Sequence, residues 1–193
     1  ELAFLRKAAD MGNREAQYTL GQMISSLDDE ETREFRLKLM MKLYRCASEQ
    51  GQGNASYWLG MFLPDYHKYD EAVRAYHQGV KNGNYLSAFI LSNAFKVGKE
   101  KGNNNFLDVE ADKERARRYS IIDSYLSTYE FMSPTVPDLD DIVPLPPAPL
   151  PEWDGKIAFQ RWVEGNEPPK PSDELIKKLA DKAGLDVKTG LPL

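Results

Sequence analysis

One short text recurs three times along the chain, and it limits the fold more than any other feature. It first reads Leu5-Arg6-Lys7-Ala8-Ala9-Asp10-Met11-Gly12-Asn13-Arg14-Glu15-Ala16-Gln17-Tyr18-Thr19-Leu20-Gly21. It returns as Tyr44-Arg45-Cys46-Ala47-Ser48-Glu49-Gln50-Gly51, running on to Ala55, Tyr57, Leu59 and Gly60. The third copy is Tyr76-His77-Gln78-Gly79-Val80-Lys81-Asn82-Gly83-Asn84, followed by Phe89 and Leu91. Gly12 and Gly51 are 39 positions apart, and Gly51 and Gly83 are 32 apart. A period in the thirties is that of stacked helical hairpins. The first glycine of each copy suits the left-handed position that ends a helix. After it, apolar or small residues fall at helical spacing: Ala16, Leu20, Met23, Ile24; Ala55, Leu59, Phe62, Leu63; Ser87, Leu91, Ala94, Phe95. The second glycine, Gly21 and Gly60, with Ser92 in the third copy, marks a close approach between helices.

The spacing predicts a long helix over about Glu30 to Gln50, with Phe35, Leu39, Leu43 and Ala47 on one line. Asp70 and Asp112 are placed to cap later helices. The second of these runs from Lys113 to Phe131 and carries Tyr119, Ile122, Leu126 and Tyr129. Gly98 to Asn105 reads as a polar loop.

Proline sets the limit of the array. Residues 1–133 contain one proline, Pro64, whereas the 38 residues 134–171 contain ten. A helix interior cannot absorb that density, because each proline removes a donor and clashes with the preceding turn. The chain therefore divides into helical repeats over 1–133 and a proline-rich C-terminal segment over 134–193. Leu139, Ile142, Val143, Leu145 and Leu150 alternate with the prolines, so the segment is expected to lie docked on the repeats rather than to float as a solvated spacer. Alternation of Ile157, Phe159 and Val163 predicts a short strand over 156–163, with Trp153 and Trp162 adding buried area. Ser172 caps a last helix to about Ala183, with Leu175, Ile176, Leu179 and Ala183 inward and Gly184 at its end. The fold class expected is all-α: a solenoid of helical hairpins with this appended tail.

Composition removes several classes of function. The 193 residues carry a net charge of −5, which gives no electrostatic case for nucleic acid. One cysteine, Cys46, and two histidines, His67 and His77, leave no multi-thiolate or histidine-rich metal site. Neither histidine has a motif partner for catalysis, and a surface or structural role is the default for both. Cys46 lacks a recognisable base. No phosphate loop, nucleophile elbow or metal motif is present, so neither a cofactor nor an enzymatic activity is expected.

The text Arg6-Lys7-Ala8-Ala9-x-x-Gly12-Asn13-x-x-Ala16-Gln17-Tyr18-x-Leu20-Gly21 resembles the Sel-1-like repeat, a relative of the tetratricopeptide repeat. The resemblance implies an α-solenoid that holds proteins, usually without catalysis. Gly79, Ser87 and Ser92 depart from the usual residues in the third copy. In the tail, Asp141-Ile142-Val143-Pro144-Leu145-Pro146-Pro147-Ala148-Pro149-Leu150-Pro151-x-Trp153-Asp154-Gly155 is similar to a C-terminal domain appended to such repeats in certain Gram-negative bacterial proteins. Lys170-Pro171-Ser172-x-Glu174-Leu175-Ile176 and the closing Thr189-Gly190-Leu191-Pro192 belong to the same pattern. Some of those proteins resemble immunity proteins paired with type VI secretion effectors, notably phospholipase D-type toxins. The resemblance implies a non-enzymatic antitoxin that binds one such effector as a heterodimer and blocks its active site. It implies a periplasmic location, with cytoplasmic as the alternative. The chain opens at Glu1 inside a helical pattern, so any signal or lipoprotein segment, and with it any membrane contact, is expected ahead of Glu1. The alternative function is a scaffold for an envelope complex.

Three groups of residues are candidates for partner contact. Asp138, Asp140 and Asp141 form an acidic cluster that could face the cationic, phosphate-binding site of a phospholipase; a solvated linker is the plainer reading. Tyr57, Trp58, Tyr66, Tyr69 and Tyr76 form an aromatic cluster whose plainer reading is repeat core; as interface anchors they would be typical hot-spot residues. Arg45 and His77 hold equivalent repeat positions with Arg6, and Arg74 is equivalent to Lys42, which makes a polar column along the array or a plain solvated helix face.

Overall fold

Each repeat glycine stops one helix and lets the next residue start another. Gly12, Gly51 and Gly83 have φ of +90°, +91° and +85°, a region L side chains rarely enter. The N–H of the following residue donates back to close the old helix: Asn13 to Ala8 O, Gln52 to Ala47 O and Asn84 to Gly79 O, at 3.0, 3.0 and 2.8 Å. The same residue then caps the new one. Asn13 Oδ1, Gln52 Oε1 and Asn84 Oδ1 accept from the N–H of Ala16, Ala55 and Ser87.

The computed structural model describes residues 2–100, 102–103, 106–165 and 169–193. Lys101, Asn104 and Asn105 of the expected polar loop lie outside the described residues. The helices are α1 (Leu2–Asp10), α2 (Arg14–Ser25), α3 (Arg33–Glu49), α4 (Gly53–Phe62), α5 (Tyr69–Lys81), α6 (Tyr85–Val97), α7 (Lys113–Thr128), α8 (Leu139–Ile142), α9 (Ala158–Glu164) and α10 (Asp173–Ala183). Short 3-10 turns cover Leu63–Tyr66 and Glu130–Met132. From α1 to α7 each neighbouring pair packs within the array or across its turns, and α3 touches α5 as α4 touches α6. The fold is all-helical, built of stacked hairpins.

Glycine fixes the spacing. A Cβ on Gly21 would sit 2.5 Å from the ring of Tyr44, and one on Gly60 would sit 2.8 Å from the ring of Tyr76. Each glycine thus leaves a notch that a tyrosine of the next hairpin fills. In the third copy the Ser92 hydroxyl donates to Ala116 O at 2.9 Å. This notch also sets the rotation of α3. Its buried line is Met40, Tyr44 and Ala47, while Leu39 and Leu43 are half-buried and Phe35 is 69% exposed. The line expected through Phe35 is therefore displaced, because Tyr44 must face Gly21. Burial of the second-helix stripe grows along the array. Ser87, Leu91, Ala94 and Phe95 are all buried, but in the first copy only Ala16 is, and Met23 is exposed. The reason is the number of neighbours: α6 packs on α4, α5 and α7, whereas α2 lies between α1 and α3 alone.

Asp112 caps α7, accepting from the N–H of Glu114 and Arg115. Asp70 is not a cap. Lys68 precedes α5, and Asp70 lies in its first turn, where a negative charge favours the helix dipole.

Two compact units divide at Arg161 and Trp162, so the proline segment up to Arg161 belongs with the hairpins. Val136, Leu139, Ile142, Val143 and Ile157 join the same buried core as Leu91 and Tyr119. The Val136 N–H donates to Lys81 O at 3.0 Å. The expected strand is absent: 158–164 is helix α9. The Ala158 N–H finds the carboxylate of Asp138 at 2.9 Å, and the Arg161 N–H bonds Ile157 O at 3.1 Å. Local helix bonds thus satisfy a backbone to which the described residues offer no partner strand. Trp162 is 66% exposed rather than buried.

In the second unit, Ser172 caps α10 and Gly184 ends it with φ +67°. The chain then folds back, with Leu185 bridging Pro192 and Asp186 N–H bonding Leu191 O at 2.8 Å. Leu175, Ile176 and Leu179, expected inward, are exposed. A unit this short has too little chain to cover its own apolar stripe.

Candidate partner-binding site

The acidic cluster is mostly engaged within the molecule. Asp140 Oδ1 lies 2.7 Å from His77 Nε2, and its Oδ2 accepts from Lys81 Nζ. The other ring nitrogen, His77 Nδ1, lies 2.7 Å from the Tyr119 hydroxyl. Burial holds the His77 pKa below its ordinary value, so the ring is neutral near pH 7. One tautomer satisfies all three groups: Nε2–H donates to Asp140 and Nδ1 accepts from Tyr119 O–H. Burial also pushes the Tyr119 phenol far upward, which keeps it a donor. For Asp140 burial opposes ionisation, but hydrogen bonds from Lys81 and His77 outweigh it and hold the carboxyl below its usual range.

Asp138 Oδ2 takes the Ala158 N–H, and its Oδ1 is buried without a hydrogen-bond partner. Asp141 is exposed in the first turn of α8. His77 is 5% exposed with both nitrogens used, so it is withdrawn from the solvent-facing column and secures the tail instead.

Sequence reasoning missed the two arginines that hold the proline segment. Arg115 donates from Nε to Pro144 O at 3.1 Å and from Nη2 to Ala148 O, while Nη1 meets Asp112 at 2.5 Å. Arg118 donates to Ile142 O at 2.5 Å and to Pro151 O at 2.7 Å, and lies 5.7 Å from the Trp153 ring centroid. Both residues are buried. Glu114 orients Arg118 at 2.8 Å, and its hydrogen bonds from Arg117 and Arg118 hold its pKa down to about 2. A proline-rich strap has carbonyls but few N–H donors, so donors must come from outside; a guanidinium offers five. That demand was the available signal.

The aromatic candidates form separate groups. Tyr57 makes edge contacts with Trp58 at 5.6 Å and with Tyr76 at 6.1 Å, and Trp58 stacks on Phe62 at 6.2 Å. Tyr57, Trp58 and Phe62 are half-buried on α4, and Tyr76 of α5 is buried. Tyr69 stands apart, against Phe106 at 5.2 Å and His67 at 6.2 Å. Tyr66 borders another groove, with Leu37 and Phe62. Arg45 and Arg74 do share one groove, floored by Leu59 and Leu63. There Arg45 pairs with Glu71 at 2.8 Å, and Lys68 pairs with the same carboxylate at 2.9 Å. Those two hydrogen bonds lower the Glu71 pKa. Cys46 is exposed. Among the described residues no group of three or more His, Cys, Asp or Glu could hold a metal ion, and no helix is long and apolar enough to cross a membrane.

A family model, the domain of unknown function DUF6396, matches residues 87–193, and the chain belongs to that family. Two solved structures from Pseudomonas aeruginosa are similar to it at 28% identity over 76% of this chain. One is described as immunity protein Pa5087, with a TM-score of 0.60. The other is Pseudomonas aeruginosa 5086 (PA5086), with a TM-score of 0.58. In both cases the match covers 52% of the solved chain, so this chain spans about half the length of those relatives. No curated protein matches it.

Proposed function

We propose that this chain is a non-enzymatic immunity protein that binds a cognate type VI secretion phospholipase of the phospholipase D type and blocks its active site. The observation that carries the immunity reading is the likeness in sequence and fold to the solved immunity protein Pa5087. The finer statement, a phospholipase D-type toxin met in the periplasm, is supported by the resemblance of the repeats and tail to such antitoxins. The physical chemistry is compatible with it. The hairpins supply area, and a strap pinned at Ile142, Pro144, Ala148 and Pro151 has little conformational entropy left to lose on binding.

The reading is tested in cells. The proposed phospholipase partner is directed to the periplasm of a susceptible bacterium, with and without this chain in the same compartment. Protection of growth supports immunity. Unprotected lysis, with both proteins present, removes it and favours a scaffold.

A further inference from the structure

We propose, resting on the immunity reading for the partner, that the groove where the α2–α3 loop meets the end of α4 receives an amphipathic segment of the effector that carries lysine or arginine.

The groove is built before any partner arrives. It has a volume of about 890 Å³, and Leu27, Leu37, Phe62 and Tyr66 supply its apolar lining. Leu27 is 57% exposed and Tyr66 37%. Arg36 holds the loop that carries Leu27. Its Nη1 donates to Ile24 O at 3.2 Å and to Leu27 O at 2.5 Å, and its Nη2 donates to Asp29 O. Phe62 is braced by the stacked ring of Trp58. Little ordering of this lining is then left to oppose binding.

Charge selects the occupant. The longest acidic run of the chain, Asp28-Asp29-Glu30-Glu31, lies in this loop. Asp28 and Glu30 line the groove together with Glu34 and Asp65, four carboxylates against the guanidiniums of Arg33 and Arg36. Arg33 is paired with Glu30 at 3.4 Å, and Glu34 with Lys38 at 2.6 Å. Arg36 is engaged by the loop carbonyls. Asp28 and Asp65 are exposed on two different elements, and their carboxylates have no ion pair among the described residues. The groove of Arg45 and Arg74 differs: Glu49 and Glu71 balance its two arginines, so it selects neither sign. Around Asp28 and Asp65 the field repels nucleic acid and anionic lipid. A small cation would leave the apolar lining uncovered. A basic amphipathic helix answers both features, with its apolar stripe on Leu27 and Tyr66 and its cations at Asp28 and Asp65.

The test uses the full chain and a fluorescent amphipathic helix of lysine and leucine, with binding followed by anisotropy. Its glutamate-for-lysine counterpart should not bind. Asp28→Asn/Asp65→Asn and Leu27→Ser are surface changes, and each variant should melt with the parent. Each should weaken binding of the lysine peptide by at least about tenfold. Asp141→Asn/Glu152→Gln removes as much charge outside the groove and should change nothing. Binding by the parent should weaken as salt rises from about 0.05 to 0.5 M. Failure of the lysine peptide to bind, equal binding of the glutamate peptide, or equal losses in the two charge variants overturns the groove. In the growth assay, Asp28→Asn/Asp65→Asn should protect less than the parent. Full protection by that variant overturns the groove as the effector's seat and leaves immunity standing. No protection by the parent, with peptide binding lost only in the groove variants, removes the immunity reading and keeps the surface.

Discussion

His77 Nε2 lies 2.7 Å from Asp140 Oδ1, and this contact fastens the proline-bearing segment to the helical hairpins. Residues 63 positions apart are joined through a ring that also meets Tyr119 on α7. The sequence presents Asp140 as one of three equivalent acids, but the structure gives the three different work. Asp140→Ala removes the acceptor from a buried N–H and should cost about 1–3 kcal/mol. Asp141→Ala should stay within about 0.5 kcal/mol of the parent. Denaturant melts of the two variants check the contrast. Limited proteolysis should cut 134–157 faster in Asp140→Ala alone.

The arginines of α7 should be costly to replace. Arg118→Met leaves the carbonyls of Ile142 and Pro151 without their donor. The expected loss is about 2–3 kcal/mol, since two carbonyl acceptors lose their donor. Arg118→Lys should rescue little, because one ammonium cannot reproduce the two-pronged geometry. Hydrogen exchange should rise around Val136 and Val143 in both variants. Unchanged melting of Arg118→Met would show that the clamp contributes nothing.

Gly60→Ala should destabilise by about 1–3 kcal/mol, the cost of overpacking, since its Cβ would press on the Tyr76 ring. Truncation of that ring in the double variant Gly60→Ala/Tyr76→Leu should recover part of the loss. Simple additivity of the two changes would contradict the notch.

Stability should fall as the solution is acidified, in two successive windows. The His77 pKa is lower in the folded chain than in the unfolded one. Between the two values the unfolded state binds the extra proton, so stability is full above about 6.5 and declines as pH drops below it. The Asp140 carboxyl is also lowered on folding. Its contribution is present above about 3.9 and is lost as pH falls further. Thermal melts from pH 7.5 to 5 should slope downward with acid, by at most about 1.4 kcal/mol per pH unit for the one proton. His77→Gln should flatten that slope. A slope unchanged in His77→Gln would assign it elsewhere.

Much of the repeat was legible because its punctuation is local. Gly12, Gly51 and Gly83 are required by their own backbone angles, and the residue after each glycine caps the next helix. Ser172 and Gly184 were readable around α10 for the same reason. The rotation of α3 was not, because it depends on Tyr44 meeting a glycine 23 positions earlier. Arg115 and Arg118 were hidden among the charges of α7; their acceptors are carbonyls 24 to 33 positions away, which leave no periodic trace. The strand expected at 156–163 failed on a similar long-range contact, the carboxylate of Asp138 beneath Ala158. Arg45 and Arg74 line one groove, which joins two helices and left no sign in their repeat positions. The helix expected to reach Phe131 ends at Thr128, where a 3-10 turn over Glu130–Met132 takes over.

The proposed immunity function requires inhibition by a one-to-one complex. Purified chain is titrated into the proposed phospholipase partner, and release of headgroup from phospholipid vesicles is followed. Activity should fall linearly and reach zero at equimolar chain, with a heterodimer eluting on gel filtration. Undiminished hydrolysis at several-fold excess of folded chain would contradict it.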